Sequence, residues 1–172
     1  MKKILLMILS VMSFSMLNYA MAKDESINKQ VATSAKAQQG DTTTSPVGFW
    51  KTIDDATHEP KAIVEISLKD NKYYGKILKT FPEPGDKTEC EACPGDKKGK
   101  PIVGLEIIWD IQKDGDEFAG GQILDPKNGK VYKAKFNLIE NGQQLKVRGF
   151  IGFSLLGRTQ VWHRVESVDA AQ

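Results

Sequence analysis

The chain has 172 residues, 40% of them apolar and 27% charged, with 24 basic against 22 acidic side chains and a net charge of +2. Near-balance of charge removes the general electrostatic argument for nucleic acid or an anionic membrane as partner. Two cysteines are too few for a scaffold built on disulfides, and the length suits one hydrophobic core.

Met1-Lys2-Lys3 is a short cationic start, followed by an apolar run from Ile4 to about Leu17 and by Asn18-Tyr19-Ala20-Met21-Ala22. That order, ending in A-x-A, predicts a secretory signal peptide over residues 1–22, cleaved after Ala22. The run is shorter than the roughly 20 apolar residues a membrane span needs. No cysteine follows Ala22, so a lipoprotein route lacks its attachment residue. The mature chain is expected to start at Lys23 and to be periplasmic or secreted, with no stable membrane span. Cleavage takes Lys2 and Lys3 with it and brings bases and acids into balance.

Residues 23–45 carry no aromatic side chain and few large aliphatics. Such a stretch buries too little apolar surface to offset the entropy of ordering it, so a flexible linker is expected. A short helix near residues 27–37 is the competing reading. A β domain is expected over 46–165, and a disordered tail over 166–172.

Eight short runs divide the domain: 48–53, 62–68, 73–81, 105–112, 117–124, 131–139, 144–150 and 158–165. Asp70-Asn71, Asp114-Gly115, Asn128-Gly129 and Asn141-Gly142 lie between them, and these residues tolerate the positive φ of tight hairpins. Tyr132, Ala134, Phe136 and Leu138 alternate with Lys133, Lys135 and Asn137, a period of two with one face inward. An antiparallel meander of eight strands removes its sticky edges by closing, which predicts an all-β, up-and-down, eight-stranded barrel. Gly75, Gly120, Gly121 and Gly149 supply the bends closure needs. An open sandwich is the rival.

Three pieces carry a resemblance: Gly48-Phe49-Trp50, Asp125-Pro126-Lys127-Asn128-Gly129-Lys130-Val131-Tyr132, and the stretch from Leu145 to Gly152 continuing through Arg158 to Arg164. With Cys90-Glu91-Ala92-Cys93 between them, the chain resembles the bacterial exported family called domain of unknown function 2147. The resemblance implies a lipocalin-like, calycin-type barrel and brings no established activity. Gly48-Phe49-Trp50 also resembles the G-x-W of lipocalins, in which the Trp meets a basic residue of the last strand. Arg158 and Arg164 are the candidates for that structural role.

Cys90 and Cys93 sit in a long segment, 82–103, rich in Pro, Gly and charge. In an oxidising compartment the default is a disulfide that staples the segment. A redox C-x-x-C is less expected, because such sites favour a helix N-terminus in a βαβ setting. A metal site is the least expected reading: structural zinc usually takes four ligands, and the only histidines are His58 and His163. The segment itself is either a surface flap or a lid over the barrel mouth.

On the last strand, parity puts Arg158, Gln160, Trp162 and Arg164 on one face. An inward arginine needs a counter-charge, for which Asp54, Glu65 and Glu106 are candidates. Catalytic templates do not fit: Gly152-Phe153-Ser154-Leu155-Leu156 lacks the second glycine of a nucleophile elbow, and no phosphate loop or H-E-x-x-H is present. No enzymatic activity and no cofactor are expected. The expected function is binding of a small apolar or amphipathic molecule inside the barrel, contacted by Trp109, Tyr132, Phe136, Arg148 and Trp162. The alternative is a filled barrel that contacts an envelope protein through its outer face.

Overall fold

The computed structural model describes residues 44–169; the expected signal peptide, nearly all of the linker and the last residues of the tail lie outside them. Eight antiparallel strands follow one another around a closed barrel: β1 (Gly48–Ile53), β2 (Pro60–Lys69), β3 (Lys72–Thr80), β4 (Glu106–Asp114), β5 (Glu117–Asp125), β6 (Lys130–Ile139), β7 (Gln144–Phe150) and β8 (Gly157–Val165). One 3₁₀ turn, Gly95–Lys97, interrupts the long segment between β3 and β4. Closure is made by β1 against β8, with Trp50 opposite Arg164 and Lys51 opposite His163. The sandwich alternative is thereby replaced by a barrel without free edges.

Turn chemistry places the strands. Asp70 and Asn71 both take positive φ, which turns β2 into β3 with no intervening loop. Bulges then bend the sheet. Gly75 sits where the register of β3 against β4 shifts, and a Cβ there would fall 2.7 Å from the Ile108 side chain. Only a glycine lets the two strands approach this closely.

The barrel has two unlike ends. The β2–β3, β4–β5 and β6–β7 turns lie at one end, together with the start of β1. Here the interior is filled by Trp50, Ile66, Tyr73, Ile111, Phe118, Phe136 and Leu145, all in one buried cluster. Tyr73 and Phe118 meet edge-to-face, with centroids 5.1 Å apart. The connections 54–59, 81–105, 126–129 and 151–156 surround the opposite end, which is open.

Arg164 holds the filled end shut. Its guanidinium lies 4.2 Å above the Trp50 ring. It donates to the carbonyls of Gly142, Val47 and Ser45 at 2.7, 2.8 and 2.8 Å. Trp50 Nε1 donates to Pro46 O at 2.8 Å. One side chain thus fastens the segment before β1 and the β6–β7 turn across the barrel bottom. Stacking of a guanidinium on an indole contributes roughly 0.5–2 kcal/mol. Of the two arginines expected at Trp50, Arg164 takes the position; Arg158 lies at the other end.

Candidate functional site

The open half encloses a cavity of about 1510 Å³. Its inner wall includes Ala62, Val64, Ile77, Ile123, Tyr132, Val147 and Trp162. Alternation along each strand aims these side chains inward. On β7, Leu145 and Val147 are buried, and a Cβ at Gly149 would touch Ile123 and Tyr132, so the odd positions face the interior. On β8, Trp162 is 2% exposed and forms part of the floor above the filled half.

Polar groups are few inside and already paired. Thr52 donates to Ala62 O at 3.4 Å. Trp162 Nε1 donates to Gln160 Oε1 at 3.3 Å, and Gln160 Nε2 reaches Ile53 O and Asp55 Oδ1, each at 3.4 Å. Among the described residues no buried side-chain nitrogen or oxygen lacks a partner. A wall of this kind presents apolar contact and little unmet hydrogen-bonding capacity.

Charge is confined to the rim. Arg158 pairs with Asp55, and Lys87 with Glu91. Lys61 Nζ lies 2.6 Å from Asp86 Oδ2, which also accepts from Glu83 N at 2.9 Å. The Lys61 ammonium and that backbone N–H hold Asp86 below the usual carboxylate range, and Asp86 in turn raises Lys61. Asp54 is lowered chiefly by hydrogen bonds from Ala56 N and Thr57 N, at 2.8 and 3.2 Å. The counter-charge for the rim arginine is therefore Asp55, whereas Asp54 caps its own turn.

The segment 82–103 is an ordered flap. Thr88–Cys90 runs against Lys100–Ile102 through the Ile102 N to Thr88 O and Cys90 N to Lys100 O hydrogen bonds. Cys90 and Cys93 lie at disulfide distance, Cα to Cα 5.4 Å, and both are buried. The four-residue loop they close lies on the β5–β6 turn. Cys90 Sγ is 3.4 Å from Pro126 O, and a Cβ on Gly129 would fall 1.8 Å from Ala92 O. Lys97 Nζ donates to Glu106 O and sits over the Trp109 ring. Together with the Lys61–Asp86 pair, these contacts tie the flap to β2, β4 and the β5–β6 turn. Thr88, Glu89, Pro101 and Ile102 of the flap also line the cavity.

The residues expected to contact a ligand divide. Tyr132 and Trp162 line the cavity. Phe136 is fully buried beneath it, in the filled half. Trp109 is on the outer face, where its Nε1 donates to Gln122 at 2.9 Å. Ile108, Ile123 and Tyr132 are paired across β4–β6, so Trp109 must face the other way. Arg148 is also outside. It occupies an even position of β7 and donates to Ser154 O, Leu155 O and Thr159 Oγ1. Gln160, Asp55 and the flap residues complete the site. Gln160 shares its parity with Trp162 and was accessible from sequence, and the flap was legible as a segment from its length and cysteine pair, whereas Asp55 carried no pattern.

The sequence model of a bacterial family described as uncharacterized and conserved in bacteria, domain of unknown function 2147, matches residues 48–164. The chain belongs to this family. The match covers the whole barrel, from the Trp50 strand to the Arg164 that covers it. Comparison with curated proteins finds no match. Among solved structures, protein HP1028 of Helicobacter pylori, described as belonging to the lipocalin family, is similar with a TM-score of 0.62 at 18% identity. The similarity covers 73% of this chain and 86% of that one. At that identity it establishes a shared lipocalin-like fold.

Proposed function

We propose that this member of the family is an exported carrier that binds one small apolar or amphipathic molecule in the open half of the barrel. The observation behind the reading is the apolar cavity of about 1510 Å³ above a filled floor. Ordinary small-molecule sites run to roughly 300–1,000 Å³, so the space suits a lipid-sized occupant. An apolar body would rest on Val64, Ile77, Val147 and Trp162, where burial contributes about 25 cal/mol per Å². A polar group would remain at the rim, among Lys61, Lys127, Arg158 and the neighbouring carboxylates. The filled-barrel alternative fits the lower half of the interior only.

Export fits the reading, because the signal peptide expected at residues 1–22 and the Cys90–Cys93 pair both suit an oxidising compartment. The test is native mass spectrometry of protein isolated from its own cells, with solvent extraction of the sample. The expected result is one extractable apolar adduct per chain. A chain that is adduct-free from its own cells, and that takes up no fatty acid, phospholipid or isoprenoid on incubation, would overturn the proposal.

A further inference from the structure

The β7–β8 connection has a composition that the barrel does not explain. In six residues it presents Ile151, Phe153, Leu155 and Leu156, which are 61, 81, 88 and 72% exposed. Side chains this exposed cover neither one another nor the barrel wall, and they form the densest run of exposed large apolar residues among the described ones. The tip is nevertheless held from below. Arg148 binds the carbonyls of Ser154 and Leu155 through Nε and Nη2, at 2.6 and 3.2 Å, and Ile151 N bonds to Leu156 O at 3.2 Å. Apolar side chains are therefore presented to solvent by a backbone that is braced.

We propose that this tip inserts into the surface of a lipid bilayer and seats the cavity mouth against it. Two features favour a bilayer over a protein groove. First, the tip projects: a Cβ at Gly152 would meet nothing within 4 Å. A fluid apolar medium accepts a projecting tip without shape complementarity. Second, the tip is continuous with the cavity. Ile151 and Leu156 belong to both, and the flap contributes Val103, 51% exposed and also lining the cavity. An apolar molecule leaving a bilayer would meet apolar side chains all the way to Trp162. Charge adds no argument, because acids outnumber bases in the lining of the mouth. The transfer route rests on the carrier reading above, whereas insertion of the tip stands on the exposed residues themselves.

The experiment is vesicle flotation, with a parallel titration of a dansylated fatty acid in vesicle-free buffer. Wild type is compared with the double variant Phe153→Ser, Leu155→Ser, both proteins carrying the same N-terminus so that residues 1–43 contribute equally. Vesicles are of phosphatidylcholine alone and of phosphatidylcholine with phosphatidylglycerol. Wild type is expected to float with both, without dependence on the anionic lipid. The variant should lose roughly 10-fold or more of its partitioning, since two large apolar side chains no longer leave water. Its affinity for the dansylated probe and its melting temperature should not change. Wild type remaining with the vesicle-free protein, or a variant that floats equally, would overturn the insertion. So would a wild-type dimer in sedimentation that the variant abolishes, without flotation, because the tip would then be an interface between copies. Flotation that survives without any probe binding would support the tip and sink the carrier reading alone.

Discussion

Tyr132 and Phe136 lie on the same face of one strand, and truncating them should have opposite consequences. Phe136 is fully buried among Phe118, Leu145, Val147 and their neighbours. Phe136→Ala removes its transfer energy and leaves an enclosed void, which together cost roughly 3–5 kcal/mol. Tyr132 borders space that is already open, so Tyr132→Ala adds no enclosed void. What it loses is side-chain contact area and a 3.3 Å hydrogen bond from Asn128 Nδ2, the latter worth about 1 kcal/mol at most at an exposed site. Its total cost should stay below about 2 kcal/mol. With a urea dependence near 2 kcal/mol per molar, Phe136→Ala should lower the unfolding midpoint by about 2 M and Tyr132→Ala by less than about 1 M. Probe affinity should reverse the order, falling for Tyr132→Ala and holding for Phe136→Ala wherever the latter remains folded. Equal losses of stability from the two substitutions would mean the barrel is packed to its rim, and the division into filled and open halves would be wrong.

Gly129→Ala forces a side chain onto Ala92 O at a position where φ is +70°, so a loss of about 2 kcal/mol or more and faster amide exchange over residues 90–93 are expected. An unchanged exchange pattern would show that the flap does not rest on that turn. Arg164→Met removes the cover of Trp50 and leaves three carbonyls to solvent, a cost of about 2 kcal/mol with probe affinity unchanged. Thermal unfolding equal to wild type would contradict the closure role. The Lys61–Asp86 tie depends on pH with a definite sign. Asp86 is depressed, so its contribution is complete above the ordinary carboxylate range and is lost as pH falls through its lowered value; Lys61 is raised, so the upper limit lies above the ordinary lysine range. From neutral pH downward, limited proteolysis of the flap should accelerate only below the ordinary carboxylate range, and Lys61→Met should remove that step. Acceleration between neutral and mildly acidic pH would refute the assignment.

The strands were legible because their signals are local. Tyr132, Ala134 and Phe136 alternate with lysines, and Asp70-Asn71 and Asn141-Gly142 supply positive φ at the turns. The Trp50–Arg164 contact was half legible, since the sequence offered two arginines and only the β1–β8 register selects one. Trp109 was misplaced for a specific reason. Ile108 and Ile111 are both fully buried although they are three apart, because Asp110 takes a φ of 61° and adds a residue to the strand. A plain period-two reading of Leu105–Gln112 cannot register that insertion. Arg148 was misplaced by its chemistry, its parity being opposite to Leu145 and Val147. The flap was legible as a flap or lid, but not where it docks, because that comes from Ala92 on Gly129, Lys97 on Trp109 and Lys61 on Asp86.

The most direct measurement is a titration of a dansylated fatty acid against wild type and Ala62→Trp, read by energy transfer from tryptophan together with stoichiometry by native mass spectrometry. Ala62 lines the open half and is 8% exposed, so an indole there occupies the space a ligand would use. One probe per wild-type chain is predicted, with binding at least 10-fold weaker in the folded variant, a loss of about 1.4 kcal/mol or more. Equal binding by the two proteins would contradict a ligand site inside the barrel.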